Sequence, residues 1–406
     1  MPFDPLRQLN SLKQILVQDK ASIGFLLSAG CGVAIRSGDA ALIPDIDGLT
    51  QAVVAELDKG ECKATFKTIL SHFKEDNKSA PNVEELLSHI RSLEQVAGCG
   101  EVRGLKSSDL EKMESQICAT IATIIDQELL SQDTPHHHLA RWTISVPRSL
   151  PVEIFTTNYD LLLEQALEDC EVPYFDGFSG ARRAFFDLTS IEQDHLPPRE
   201  QLPPRLARLW KLHGSINWKL VKDADDKAFV VRSSLKLKGD SLLIHPSHLK
   251  YEQSRRMPYL AMMDRLRSFV ARKQAFLIIC GYSFGDDHVN EAIAQGLRGN
   301  PNATAFALQF GKLEDYGKGV ALAQGTSNLS ILATDGAVLG TKRDEWMCAA
   351  NDAIDEGIGV PAIEWCPIEG DDEKKRASLK LGDFQILGKL FVNMMGSRGA
   401  EREADE

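Results

Sequence analysis

The sequence predicts an α/β fold in which a parallel sheet carries helices on both faces, with a helical segment inserted near its start. Three observations support this prediction. With 406 residues, 43% of them hydrophobic, the chain can bury a full core. After residue 150, short apolar runs alternate with helical patterns, which is typical of a parallel sheet. Several of these runs end in small or polar residues, as buried strands do where they turn into helices.

The first elements are a helix and a strand, which we assign to residues 1–48. Residues 5–19 carry leucine and isoleucine at helical spacing, so we expect an amphipathic helix. The apolar run SIGFLLSAG follows, and it has the length of a buried strand that ends in a tight turn.

Residues 49–150 are expected to form a helical insertion, or lid. The segment contains long stretches with helical periodicity. Ser108 and Glu111 have the spacing of a capping box, which predicts a helix start there.

The sheet is expected to resume over residues 151–350. Its predicted strands are VEIFTT, ARLWKLHG, SLLI, QAFLIICG, TAFALQF and NLSILAT. Predicted helices between them cover 158–169, 251–272 and 286–298, while four prolines in 187–206 predict an extended loop.

The C-terminal extension is expected to comprise residues 351–406. It contains the charged stretch EGDDEKKRAS, which predicts a turn, and an amphipathic helix at 379–395. This helix and the one at 5–19 are candidate assembly surfaces, and the alternative is that each packs on its own domain.

Composition excludes several classes of function. The net charge of −12 disfavours nucleic acid as the main ligand, and no Walker-type loop is present. None of the eight cysteines forms a C-x-x-C pair, so we predict no zinc ribbon and no metal site. The adjacent histidines 136–138 do not change this, because three neighbouring imidazoles cannot converge on one ion. No apolar run is long enough to span a membrane and no signal peptide is evident, so a cytoplasmic location is expected.

Polar residues gather at four predicted strand ends, where open parallel sheets bind ligands. Three of these ends also have an ordinary interpretation. The glycines of LLSAGCG suit a tight turn, Thr157 or Asn158 could cap a helix, and His213 could be a hydrogen-bonded structural residue. A histidine is also a natural general base near neutral pH.

The motifs FTTNYD, KLHGS, ICGYSFGDDHVNEAI and ILATDGAVLG resemble, in order and spacing, the sirtuin-like NAD-binding family. The resemblance covers residues 20–350 and is closest to the bacterial anti-phage defence branch. It implies a Rossmann-like sheet that holds NAD+ across its strand ends.

The resemblance also implies roles for individual residues. Asn158 would hold the nicotinamide ribose, Asp160 would lie by the nicotinamide amide, and His213 would be the base. Thr157 stands where protein-deacylating sirtuins carry glutamine, so an acyl-lysine groove is not expected. The remaining NAD+-binding residues implied are Ala29, Gly30 and Cys31 in the phosphate turn, Pro44 and Asp45 near the nicotinamide end, Gly281 and Ser283 at the adenosine half, and Asp335 near the adenine.

The activity implied is NAD+ hydrolysis to nicotinamide and ADP-ribose, without a metal. The family also implies a homo-oligomer gated by a HerA-type hexameric ATPase or helicase during anti-phage defence. Three alternatives stay open: a non-catalytic subunit that senses NAD+ or ADP-ribose, a protein deacylase or ADP-ribosyltransferase, and a structural scaffold.

Overall fold

The computed structural model describes residues 2–75, 80–145, 148–192, 206–222, 225, 228–233, 241–244, 258–349, 362–368 and 371–404. Within these residues the centre of the fold is a nine-stranded sheet with the order β9-β8-β7-β6-β5-β1-β2-β4-β3. Its strands are β1 (Ser22–Leu27), β2 (Val152–Thr156), β3 (Tyr174–Phe175), β4 (Ala207–Lys211), β5 (Ala275–Cys280), β6 (Thr304–Leu308), β7 (Leu329–Leu332), β8 (Gly336–Leu339) and β9 (Lys342–Glu345).

The central sheet is mostly parallel. Strands β1 to β7 pair in parallel, and only β8 and β9 add an antiparallel hairpin at one edge. The edge strand β9 reads KRDE, and such charges discourage pairing with another chain. Apolar runs that are buried on both faces thus form a parallel sheet, as predicted.

Helices cover both faces of this sheet. The helices in the described residues are α1 (Pro5–Leu16), α2 (Ala29–Val33), α3 (Ile46–Leu57), α4 (Lys63–Glu75), α5 (Val83–Ala97), α6 (Ser107–Ile125), α7 (Pro135–Ser145), α8 (Leu162–Asp169), α9 (Leu188–Glu192), α10 (Pro258–Val270), α11 (Asp287–Gly299), α12 (Gly317–Gln324) and α13 (Phe384–Ala404). One hydrophobic cluster joins the sheet to α1, α3 to α8 and α13, and a second joins it to α10, α11 and α12. The predicted fold class is therefore confirmed.

The two helices at the chain ends pack on their own domain. Leu9 and Leu12 of α1 are fully buried, and α1 starts where Asp4 accepts the N–H of Leu6 at 2.9 Å. In α13, the Phe391 ring contacts Phe25 and Trp142 at centroid distances of 5.8 and 5.2 Å. The apolar faces of α1 and α13 are thus buried against the same chain, which favours the packing alternative over assembly surfaces.

The insertion contains the expected helices α3 to α7, but its capping box lies elsewhere. Helix α6 begins at Ser107 directly after a two-residue strand, so Ser108 is already inside it and Lys106 is the cap residue. The prediction for Ser108 and Glu111 is therefore wrong. The capping box belongs to α5, where Asn82 accepts the N–H of Glu85 at 2.9 Å and Glu85 accepts the N–H of Asn82 at 2.9 Å.

A second, five-stranded sheet was not foreseen. Its strands cover residues 178–179, 184–186, 214–222, 228–232 and 241–244. The run SLLI pairs antiparallel with 214–222, so its assignment to the parallel sheet is wrong. Four residues could not distinguish the two sheets, because periodicity over so short a run carries no partner information.

The C-terminal extension also differs from its prediction. Residues 371–379 form a strand rather than a charged turn, and they pair antiparallel with 363–368 and 347–349. Ala377 and Leu379 are buried along this strand, which anchors it despite the charges before them. Of the predicted proline-rich loop, 188–192 form α9, while 193–205 lie outside the described residues.

Among the described helices, none combines the length and the apolar character that crossing a bilayer requires.

Candidate active site

The turns after β1 and β5 touch each other at the topological switch point of the sheet. Strand β1 lies between β5 and β2, and the chain builds the sheet outward from β1 in both directions. The Gly30 N–H donates to the Gly281 carbonyl at 3.0 Å. A Cβ atom on Gly281, whose φ is +69°, would lie 2.6 Å from the Cys31 nitrogen. The close approach therefore requires glycine, and it brings together the predicted phosphate turn and adenosine loop.

Two backbone N–H groups of the predicted phosphate turn are already bonded within the protein. Ala29 and Gly30 are exposed, but the N–H groups of Gly30 and Cys31 are both used within the protein. The Cys31 thiol is buried and donates to the Cys280 carbonyl at 3.4 Å. Burial, together with this hydrogen bond, raises the pKa of Cys31 well above its usual value. Ala29, Gly30 and, across the switch point, Ser283 are exposed, and their contact with a diphosphate stays a prediction.

The loop after β2 turns its polar side chains towards the end of β1. Thr157 Oγ1 donates to Ser28 Oγ at 2.9 Å, and Asn158 Nδ2 donates to the Ser28 carbonyl at 3.3 Å. Thr156 Oγ1 accepts the N–H of Asn158 at 3.0 Å, which fixes the loop from inside. Helix α8 begins only at Leu162, so the interpretation of Thr157 or Asn158 as its cap is wrong. These side chains are half-buried, where they could face a ligand at the switch point.

Asp160 is buried behind this loop. Its Oδ1 accepts the N–H of Leu162 at 3.0 Å, and Lys211 donates to its carbonyl while pairing with Glu164 at 2.9 Å. Burial raises the pKa of Asp160, although the positive charge of Lys211 opposes this. Asp160 therefore stabilises the loop, and its contact with the nicotinamide amide stays a prediction.

His213 is paired with an aspartate that the sequence reasoning missed. It lies in the two-residue connection between β4 and the second sheet, where Gly214 has a φ of +95°. Its Nε2 is 2.8 Å from Asp286 Oδ2. Asp286 also caps α11, because its other oxygen accepts the N–H groups of His288 and Val289 at 2.8 and 3.1 Å.

The charge state of Asp286 follows from this arrangement. Burial alone would raise the pKa of Asp286, but the hydrogen bond and charge of His213 and the two helix N–H groups outweigh it. The net result is a pKa lowered below the usual range for aspartate, so the carboxylate is ionised at neutral pH. An ionised partner at this distance orients the imidazole and favours one tautomer.

Asp45 and Asp335 each accept a backbone hydrogen bond near a helix start. Asp45 is exposed and caps α3 by accepting the Gly48 N–H at 2.8 Å, directly after Pro44. Asp335 follows β7, two strands from β5, and accepts the Leu313 N–H at 2.9 Å. Both aspartates thus stabilise the local backbone, and their contacts with NAD+ stay predictions.

The three adjacent histidines do not converge. His137 contacts Asp169 at 3.1 Å, His138 contacts Asp133 at 2.7 Å, and the His136 ring packs on Phe384. In the described part of the chain, no group of three histidine, cysteine or acidic side chains is placed to hold a metal ion.

A known family model matches part of the chain. Residues 152–322 match the family model of a SIR2-like domain, a range that includes Asn158, His213 and Asp286 but not the turn after β1. A solved structure described as "The Structural basis of Sirtuin Substrate Affinity" is 13% identical, covering 75% of this chain and 88% of that chain with a TM-score of 0.31. No curated protein matches the chain. The family match supports a sirtuin-like, NAD-binding domain.

Proposed function

We propose that this chain hydrolyses the N-glycosidic bond of NAD+ to give nicotinamide and ADP-ribose. The observation that carries the proposal is the contact of 2.8 Å between His213 and Asp286 at the strand ends of a SIR2-like domain. A protein that only binds a dinucleotide has no need of an oriented imidazole. A hydrolase needs one to take a proton from a hydroxyl group or water.

His213 is the proposed base. When Nε2 donates its hydrogen to Asp286, the lone pair of the neutral ring is at Nδ1. That nitrogen would accept a proton from a ribose hydroxyl or from the attacking water. Asp286 would stabilise the imidazolium that results, as the ionised partner of a histidine does in other hydrolases.

Asn158 is proposed to orient the ribose. Its amide nitrogen is held by the Ser28 carbonyl at 3.3 Å, so its amide oxygen has a defined direction for accepting a hydrogen bond from a ribose hydroxyl. Positioning of this kind lowers the barrier, because the reacting groups need not be brought together during the step. Thr157 fixes the same loop through Ser28.

The departing nicotinamide does not need to be protonated by a general acid. The nicotinamide nitrogen carries a positive charge before the bond breaks, so the electron pair that it receives makes it neutral. The developing positive charge on the ribose is the part that needs stabilisation. The Asp160 carboxyl group is a candidate for this task if the loop turns it towards the ligand. The diphosphate would lie beside Ala29, Gly30, Cys31 and Ser283, with the adenosine towards Gly281 and Asp335, and Pro44 and Asp45 at the nicotinamide end.

We further propose that assembly controls the activity. Uncontrolled hydrolysis of NAD+ would kill the host cell, so the activity must be regulated. The family resemblance supports a homo-oligomer whose partner in anti-phage defence is a HerA-type hexameric ATPase. Co-expression of the two proteins, followed by size-exclusion chromatography and an NADase assay, tests this. A monomer that hydrolyses NAD+ fully and ignores the ATPase would contradict it.

The activity itself is tested by incubating the purified chain, alone and with the ATPase, with NAD+ and with or without an acyl-lysine peptide. We expect equal amounts of nicotinamide and ADP-ribose, independent of the peptide. Binding of NAD+ without nicotinamide release in either preparation would support the sensing alternative. Release that depends on the peptide would support a deacylase.

A further inference from the structure

A buried tyrosine joins the ribose-facing loop to the helical insertion. Tyr159 stands between Asn158 and Asp160, and it is 9% exposed. Its hydroxyl donates to Glu84 Oε1 at 2.6 Å, and Glu84 lies in the first turn of α5. The contact links residues 75 positions apart, and it attaches the loop to a helix of the insertion.

Glu84 is itself held in place by the insertion. The N–H of the preceding Val83 donates to Thr50 Oγ1 of α3 at 3.0 Å. Further along α5, Arg91 pairs with Glu114 of α6. The start of α5 is therefore bonded to α3, and its middle is bonded to α6.

Tyr159 also contacts the segment that carries the base. Its carbonyl accepts the N–H of Ile216 at 3.1 Å and the hydroxyl of Ser215 at 3.4 Å. Its ring lies over His213 at a centroid distance of 6.4 Å. One residue thus contacts the insertion, the loop of Asn158 and the strand that follows His213.

We propose that Tyr159 and Glu84 are positioning residues through which the helical insertion sets the relative placement of Asn158 and His213. Displacement of α5 would pull the Tyr159 side chain and shift both neighbours at once. Neither residue needs to touch the substrate. The inference rests on the proposed function for its effect on rate, but the mechanical link itself does not depend on that function. A partner that binds the insertion would then reach the site through this contact.

The protonation of the pair suits this link. Burial, followed by the charge of Glu84, raises the pKa of Tyr159 well above its usual value. The phenol therefore stays protonated and remains the donor, while the carboxylate remains the acceptor. Hydrogen bonds of this charge-assisted type are among the stronger ones in proteins.

The test compares Tyr159→Phe, Glu84→Ala and the double variant with Glu75→Ala as the control. Glu75 belongs to the same insertion, but its partner is Arg103 and its side chain is 64% exposed. We expect kcat for NAD+ hydrolysis to fall by about tenfold in each of the first two variants, with little change in KM, because a small misplacement of catalytic groups slows the chemical step. The double variant should fall no further, since both changes break one contact. Glu75→Ala should match the wild type.

Hydrogen exchange provides a readout that does not need activity. We expect faster exchange in peptides covering 152–161 and 213–220 of Tyr159→Phe and Glu84→Ala, and unchanged exchange in Glu75→Ala. Unchanged exchange together with wild-type kcat would overturn the proposal. If the wild type does not hydrolyse NAD+, exchange alone decides whether the insertion and the loop are coupled, so the two failures are distinguishable.

Discussion

His213 Nε2 lies 2.8 Å from Asp286 Oδ2, although 73 positions separate the two residues. His213 follows β4 and Asp286 follows β5, and β1 and β2 lie between these strands in the sheet. At roughly 4.8 Å per strand, β4 and β5 are about 14 Å apart, and the two connections and side chains together span this distance. The contact therefore closes the site over β1 and β2, and it connects the base to the loop that we assign to the adenosine half.

Loss of the Asp286 charge should impair catalysis more than stability. Asparagine is as good a helix cap as aspartate, so Asp286→Asn should leave α11 intact. The neutral amide can hold His213 in the wrong tautomer and does not stabilise the imidazolium, so we expect kcat for NAD+ hydrolysis to fall by at least about 100-fold. Asp287→Asn is the matched control, because Asp287 adjoins Asp286 but pairs with the exposed Lys318. Equal values of kcat in the two variants would show that Asp286 does not contribute to catalysis.

Gly281 should tolerate no side chain. Alanine there meets both an unfavourable φ of +69° and the Cys31 nitrogen at 2.6 Å. Gly38 has a similar φ of +64° but open space around it, so Gly38→Ala measures the backbone strain alone, about 1 kcal/mol. We expect Gly281→Ala to lower the free energy of unfolding by about 3 kcal/mol or more and to weaken NAD+ binding. Urea unfolding and calorimetric titration measure these effects, and equal losses in both variants would contradict the close approach.

Lys211 should be needed to hold the loop. Lys211→Met removes the cation that pairs with the buried Glu164 and binds the Asp160 carbonyl. Breaking a buried pair from one side costs about 3 to 5 kcal/mol, so the variant should unfold at much lower urea. Adding Glu164→Gln should recover part of the loss, because the unpaired charge is then gone. A single variant within about 1 kcal/mol of the wild type would show that the pair contributes little.

His136 should make stability depend on pH. Burial, together with the charge of His137, lowers the pKa of His136 to about 3, whereas an unfolded histidine titrates near pH 6.5. Between these values the unfolded chain holds a proton that the folded chain lacks. Stability should therefore fall by about 1.4 kcal/mol per pH unit as the pH drops from about 6.5 towards 3.

The variant His136→Phe removes this titration while keeping a ring against Phe384. Its urea midpoint should show a weaker pH dependence between 6.5 and 4 than the wild type. His288→Gln, at an exposed position, is the control and should keep the wild-type slope. The prediction fails if His136→Phe keeps that slope as well.

The features that the sequence could predict are local ones. The runs FLL and LIIC are apolar throughout, so buried parallel strands followed from length and composition alone. The sequence also placed Thr157, Asn158, His213 and Ser283 after strands of one parallel sheet, whose carboxyl ends share one edge.

The features that it missed depend on distant partners. Asp286 is a helix cap by local rules, and only the fold brings it to His213. Ser28, which directly follows β1, binds the side chains of Thr157 and Asn158, and the helix after β2 starts only at Leu162. Lys211 looks like a surface residue in the sequence, yet Glu164 and Asp160 neutralise and bind it in the interior.

The most direct test of the proposed hydrolysis is nicotinamide release from NAD+ by the wild type, Asn158→Ala and His213→Ala, in the preparation that is active, alone or with the ATPase. Both variants should retain the wild-type circular dichroism spectrum and a cooperative unfolding transition, which shows that they are folded. The wild type should release nicotinamide, and each variant should be slower by at least about 100-fold. Wild-type rates in both folded variants would contradict the assignment of this site to NAD+ hydrolysis.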